Sequence, residues 1–370
     1  MKLSRSKRHA GFTIIEFTIA MAVTSVALAA TVLAFTNATQ ANQNVALRED
    51  VADNMRAGLN LMEQDLIQTG TGIPTGGISI PAAGPNGACT TGYSNITRPL
   101  LNATTVFPHC NVVLPAIEPG YQLGPPVTAP DATSLVNTDI VTMMYQDNSL
   151  NLGQYPIYLP VGSGAPGNNG GCAGSISATG ASAQFDANCV VSPSPSGATI
   201  NAGDLIMFSN ANGNALVYVT SVAWPTVFFN ANDPFALNQT GLPSGTLIQL
   251  QNAGGTYPPT TAERVTMITY YLDNVSVAGH VELIRRINFN AGQTVGDTIE
   301  DLHFTYNFND GIAVNETSVP AGYSENQIRS INVYVGGRSD TVYTQSGKYI
   351  RSTTQTQISL RSMAYANAFP

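Results

Sequence analysis

Histidine is the side chain best suited to catalysis near neutral pH, and this 370-residue chain has only four, all far apart in sequence. The metalloprotease pattern HExxH, the nucleophile pattern GxSxG and the Walker A phosphate loop are all absent from the sequence. The four residues are His9, His109, His280 and His303. The sequence therefore predicts no catalytic residue, no cofactor and no metal site, and indicates that the protein is not an enzyme.

Four cysteines form the second set of reactive side chains: Cys89, Cys110, Cys172 and Cys189. Their spacing has no CxxC and no nearby histidine, so it does not indicate a zinc site. Three disulfide pairings are possible, and pairing of sequence neighbours would staple two loop-rich segments. Buried free thiols are the alternative to disulfides.

One short segment is rich in potential calcium ligands. Asn307, Asn309 and Asp310 precede Gly311, as in a calcium-binding loop, but no glutamate follows at the closing position of such a loop. We interpret the segment as a turn.

Charged residues make up 10% of the chain, against roughly 25% in ordinary soluble domains. The formal net charge is -8, and four of the fifteen basic residues lie in the first eleven positions. Such a chain is a poor candidate for nucleic-acid binding. The abundance of Asn, Thr, Ser and Gly favours an exported protein.

Glu16 is the one charged residue in a long apolar run over residues 12–36. At about 1.5 Å per residue, that run is long enough to span a bilayer of roughly 30 Å. The basic leader before it should stay in the cytoplasm, with the rest of the chain outside. Its basic residues are Lys2, Arg5, Lys7 and Arg8.

The segment GFTIIEF, residues 11–17, resembles the leader junction of type IV prepilins and pseudopilins. This resemblance implies that prepilin peptidase cleaves between Gly11 and Phe12 and that the new amine of Phe12 is N-methylated. It also implies that Glu16 pairs with the N-terminal amine of a neighbouring subunit during assembly. Ile14 and Phe17 depart conservatively from the commonest form of the motif.

Two alternatives compete with this interpretation. The first is an ordinary signal peptide cleaved near Thr36-Asn37-Ala38, although its apolar region is usually only about 7–15 residues long. The second keeps Glu16 protonated and bonded to a threonine hydroxyl.

Beyond the apolar run, the sequence predicts that one helix continues to residue 68, over about 80 Å in total. Apolar residues recur at spacings of three and four, which predicts an amphipathic helix over residues 37–68. They are Leu47, Val51, Met55, Leu59, Met62 and Leu66. Gly70, Gly72 and Pro74 should end the helix.

Residues 69–370 should form a β-rich head, because strand-like runs follow one another without helical patterns between them. The runs are 138–146, 203–210, 214–222, 265–273, 281–289, 299–308, 328–338 and 353–363. Asn212-Gly213 predicts a hairpin between the second and third runs. Residues 71–137 and 148–202 show few strand signals and are predicted to be long loops. The fold class is therefore α+β, with a mostly antiparallel sheet.

The order of these segments resembles PilW-like minor pilins and, more distantly, the J-type pseudopilins of type II secretion. The resemblance implies a type IV pilin-like fold and a subunit that primes pilus assembly at the bacterial inner membrane before joining an extracellular pilus. Its implied partners are prepilin peptidase, other major and minor pilins, the assembly platform and the inner membrane. A secretion pseudopilin and an adhesive module at a pilus tip are the competing functions.

Overall fold

A computed structural model describes residues 13–81, 98–99, 113–131, 135–150, 152, 174–185, 199–239, 245–274 and 280–363. A single helix, α1 (Ile14–Gln68), leads into a head made of strands. The strands are β1 (Ile78–Ser79), β2 (Val113–Leu114), β3 (Ile117–Gly120), β4 (Ile140–Asp147), β5 (Ser175–Ile176), β6 (Ser182–Gln184), β7 (Leu205–Asn210), β8 (Gly213–Tyr218), β9 (Ser221–Ala223), β10 (Thr226–Phe228), β11 (Thr261–Asp273), β12 (Glu282–Ile287), β13 (Gln293–Gly296), β14 (Ile299–Phe308), β15 (Ile328–Tyr343) and β16 (Lys348–Ser359).

The predicted continuous helix is confirmed, and its second half carries the predicted stripe. Five of the six stripe residues are buried, and only Leu47 is half-buried. The helix ends at Gln68, where Thr69 donates its backbone N–H to Leu66. Gly70 follows with φ +81°, a left-handed conformation that glycine adopts without strain. A Cβ there would also lie 2.8 Å from Met363 Cγ.

Every strand pair in the described part of the head is antiparallel. The largest sheet has the order β13-β12-β11-β4-β3, and the hairpin β7–β8 joins it through β11. Strand β11 pairs with β4 along one edge and with β7 and then β12 along the other. Asn288 bridges the gap between β7 and β12, because its side-chain oxygen accepts the N–H of Met267 at 3.0 Å. The α+β fold with an antiparallel head is thus confirmed.

A second sheet, β14-β15-β16, lies against α1 together with the large sheet. The main core fills the space between them with helix residues such as Met62 and Leu66 and strand residues such as Phe304 and Val333. This core fixes the second half of α1 on the head.

The expectation of long loops over 71–137 and 148–202 is wrong in part. Strands β1, β2 and β3 lie in the first segment, and β3 pairs with β4 in the large sheet. Strands β5 and β6 lie in the second segment and pair with the hairpin β9–β10 in a four-stranded sheet. Leu150, Ile176 and Phe185 from the same segment belong to a second core. Two- to four-residue strands give too short an alternation to detect from sequence.

The hairpin β7–β8 separates the two cores. Leu205 and Met207 face the main core, while Ile206 and Phe208 face the second. A strand buried on both faces explains why this run is continuously apolar instead of alternating. The predicted hairpin is confirmed, with Asn210 opposite Gly213 across its turn.

The cysteines Cys89, Cys110, Cys172 and Cys189 all lie outside the described residues. So do the leader residues Lys2, Arg5, Lys7 and Arg8 and the junction residues Gly11 and Phe12. Their disulfide and processing roles stay predictions.

Candidate functional site

The first half of α1 extends from the head with its apolar side chains uncovered. Every residue from Thr13 to Thr39 is exposed, including Phe17 at 60% and Phe35 at 69% of its full area. An apolar surface this large on an otherwise folded chain marks a lipid or protein contact. The helix is long and apolar enough to cross a membrane.

The polar groups of this half are suited to an apolar environment. No charged residue lies between Glu16 and Arg48. The hydroxyl groups instead donate to backbone carbonyls three or four residues earlier in the same helix. They belong to Thr18, Thr24, Ser25, Thr31, Thr36 and Thr39. Since each hydroxyl proton is already bonded, the cost of moving these side chains into lipid is reduced.

Glu16 lies in the first turn of α1 and closes a capping box with Thr13. Its Oε2 accepts both the backbone N–H and the hydroxyl of Thr13 at 3.0 Å. The Glu16 N–H in turn donates to Thr13 Oγ1 at 3.3 Å. Among the described residues, both bonds to the carboxylate go to Oε2, so Oε1 is open to a further donor.

This capping role was missed at the level of sequence, although the signal is present in GFTIIEF. A threonine followed three residues later by a glutamate is the capping-box pattern. A Glu16–threonine contact does occur, but Thr13 of the same chain is the donor and the Glu16 carboxyl oxygen accepts.

Asp65 is a candidate functional residue that the sequence analysis did not identify. It lies on α1 at the edge of the buried stripe, and it is 3% exposed. Arg285 of β12 donates to it twice, from Nε to Oδ2 at 2.6 Å and from Nη2 to Oδ1 at 3.0 Å. The Tyr270 hydroxyl on β11 donates to Oδ2 at 2.6 Å. We call this group the helix clamp.

The electrostatics of the helix clamp keep its two donors, Tyr270 and Arg285, protonated. Burial and the adjacent Asp65 carboxylate raise the pKa of Tyr270, so its hydroxyl stays a donor. Burial lowers the pKa of Arg285, but its hydrogen bonds to Asp65 outweigh burial and raise that pKa above its usual value. A charged, bidentate pair between α1 and the sheet fixes the rotation and the axial position of the helix.

Arg285 and Arg286 face opposite sides of β12, as their adjacency predicts. Arg285 points to α1, whereas Arg286 donates to the carbonyl of Asn290 at 2.8 Å and lies 4.7 Å from the centre of the Phe289 ring. The segment around Asp310 is a turn as predicted, because Asp310 Oδ1 accepts the N–H of Ile312 at 2.9 Å.

Comparison with known proteins gives one match. The family profile described as the prokaryotic N-terminal methylation motif matches residues 6–32. No curated protein and no solved structure matches the chain. The matched segment covers residues 6–11 of the basic leader, the Gly11–Phe12 junction, Glu16 and most of the exposed apolar half of α1.

The motif supports a type IV pilin-like or pseudopilin protein, a class of structural subunits processed by prepilin peptidase and assembled with other pilins. The exposed helix half, in which Glu16 is the one charged residue, is consistent with anchoring in the inner membrane and with incorporation in a pilus. The candidate site is therefore the exposed apolar half of α1, whose other half the helix clamp fixes on the head.

Proposed function

We propose that this protein is a minor pilin of a type IV pilus, similar to PilW, and that it primes pilus assembly at the inner membrane. Prepilin peptidase removes residues 1–11, and Phe12 becomes the N-methylated first residue. Residues 12–36 form the membrane anchor and later the filament core, residues 37–68 continue the helix, and residues 69–370 form the head. The work of the protein is assembly, without catalysis.

One observation carries this proposal. The methylation motif at residues 6–32 contains most of the half of α1 that the head leaves uncovered. A helix with an apolar, uncovered half has two environments that can bury it, the bilayer and the helices of other subunits. A pilin uses both in succession.

Glu16 has a specific part in the proposed assembly. In the single chain, only Oε2 of its carboxylate is engaged among the described residues. We assign Oε1 to the N-terminal amine of a neighbouring pilin. Such a pair gains far more in an apolar filament core than in water, so it favours one axial position of the incoming subunit.

The proposal is tested by recovery of the full chain in filaments. Pili sheared from cells that express an epitope-tagged chain should contain the tag, and cells without prepilin peptidase should retain it in the membrane fraction. A chain that stays in the membrane of piliated cells, and whose deletion leaves piliation unchanged, would contradict the proposed role.

A further inference from the structure

The hairpin β15–β16 runs along the second half of α1, which packs on the head. One end of the hairpin lies toward the first, exposed half of the helix. At one end, the hydroxyls of Ser362 and Thr71 are 2.8 Å apart, just beyond the C terminus of the helix. At the other, Thr344 donates from Oγ1 to Gln43 Oε1 at 3.0 Å. Among the described residues, Gln43 is the most N-terminal helix residue that hydrogen-bonds to the head. The turn 344–347 is thus the part of the described head that is hydrogen-bonded to α1 nearest the anchor.

The position of Gln43 places this turn close to a membrane that holds the anchor. Gln43 follows Phe35, the last large apolar residue of the exposed run, by eight residues, or roughly 12 Å along the helix. The headgroup layer occupies roughly 5–7 Å on each side of the hydrocarbon. The turn therefore lies within about one Debye length, roughly 8 Å, of the headgroups.

The chemistry of the hairpin tip fits an anionic headgroup surface. Tyr343 and Lys348 are opposite each other in the ladder, next to the turn, and Lys348 is exposed. Val342 beside them leaves 42% of its side chain exposed. Tyrosine is enriched at membrane interfaces, and lysine binds anionic lipids there. The nearest carboxylate on the strand, Asp340, faces His280 at 3.6 Å.

We propose that the tip of the β15–β16 hairpin, residues 342–349, is a membrane-docking surface that binds anionic phospholipid headgroups beside the anchor helix. The contact holds the head upright on the membrane before the subunit enters a filament. This inference depends on the membrane anchor in the proposed function, and the experiment below tests the two separately.

The experiment uses tryptophan quenching in the full chain reconstituted in phosphatidylglycerol-containing vesicles with a headgroup-attached quencher. Trp224 is the single tryptophan and stacks on Phe185 at 5.9 Å, so Trp224→Phe supplies a silent background that keeps the stack. Tyr343→Trp reports on the tip. Ile312→Trp is the matched control, because Ile312 is 81% exposed at the opposite end of the hairpin, roughly 50 Å away along β15.

We expect strong headgroup quenching of Trp at position 343 and little at position 312. Lys348→Gln, or replacement of phosphatidylglycerol by phosphatidylcholine, should weaken this quenching. The equilibrium ratio of docked to undocked hairpin tips, calculated from the quenching at position 343, should fall about fivefold. Equal quenching at the two positions would overturn the proposal. The proposal would also be overturned if the fluorescence of the tryptophan at position 343 changed in filaments and not in vesicles, because the tip would then contact another subunit instead of lipid.

A third probe separates this inference from the anchor itself. Phe35→Trp should be quenched by lipids brominated on their acyl chains if α1 is inserted in the bilayer. Quenching at position 35 without quenching at position 343 refutes only the docking surface. Absence of quenching at position 35 refutes the anchor as well.

Discussion

Glu16 has two properties at the scale of the residue, a capping hydrogen bond and a charge, and substitution can separate them. Glu16→Gln keeps an oxygen that can accept from Thr13 and removes the charge. Thr13→Ala removes the hydroxyl of the cap and keeps the charge. If the charge pairs with a neighbouring subunit, Glu16→Gln should be processed normally yet be absent from sheared pili, and Thr13→Ala should be present. Immunoblots of the membrane and pilus fractions measure this. Normal incorporation of Glu16→Gln would refute the charge pair.

The helix clamp makes a second prediction at the residue scale. Asp65→Ala leaves Arg285, whose side chain is only 12% exposed, without its partner, so the free energy of unfolding should fall by about 3 kcal/mol. Denaturant titration of the full chain in detergent measures it. Glu63→Ala is the matched control, since Glu63 is an exposed carboxylate on the same turn of α1. Asp65→Ala and Arg285→Ala together should cost less than the sum of the single changes. Additive costs would show that the two residues act independently.

At the scale of the element, the close approach of α1 to the sheet depends on Gly58. A Cβ at this position would lie 2.7 Å from Leu283 Cδ2 and 3.4 Å from the carbonyl oxygen of Val295. Gly58→Leu should therefore overpack the contact and lower the free energy of unfolding by about 1–3 kcal/mol, although leucine favours helix more than glycine does. Ala57→Leu, on the exposed face, should change it by less than about 0.5 kcal/mol. Similar effects of the two variants in denaturant titrations would contradict this packing.

The junction between β14 and β4 predicts a pH dependence. His303 on β14 lies 3.3 Å from Asp139 Oδ2 and 2.8 Å from Asp301 Oδ1. Asp139 also accepts the N–H of Phe304 at 3.0 Å, so its carboxylate joins the two strands. Hydrogen bonds to Asp139 and then Asp301 raise the pKa of His303 from 6.5 to about 10.

The sign follows from that raised pKa. The folded state holds the His303 proton more tightly than the unfolded state does, so the added stability is complete below about pH 6.5 and is lost as pH rises toward 10. His303→Gln should flatten the decline in denaturation midpoint over this range. An unchanged pH profile would show that the pair of aspartates does not stabilise the protonated ring.

The long elements were predictable because their signals are long. The stripe from Val51 to Leu66 repeats over several turns, and β11 and β14 each exceed nine residues. Strands β1, β5 and β6 were not predictable, since two or three residues carry no detectable period. Asp65 was missed for another reason: a single acidic residue on a helix is read as solvated unless its distant partners, Tyr270 and Arg285, are known.

At the scale of the whole molecule, the two halves of α1 have different surroundings. The second half packs one face on two sheets and is held by the helix clamp, and the first half is uncovered. The sequence predicted this division, because residues 12–36 form an apolar run with one charge, whereas residues 37–68 carry their apolar residues on one face of the helix. It did not predict the second core, which joins residues from 150 to 262 around the four-stranded sheet. Removal of residues 148–202 would therefore damage the fold as well as any adhesive surface.

The central claim is that the chain is a processed pilin subunit, and the N terminus of the mature protein tests it most directly. Sequencing and intact-mass measurement of the chain recovered from membranes should find N-methylated Phe12 as the first residue. Gly11→Val should leave the eleven leader residues attached. A wild-type chain that begins at Met1, or one cut after the apolar run near Ala38 as an ordinary signal peptide would be, would contradict the account.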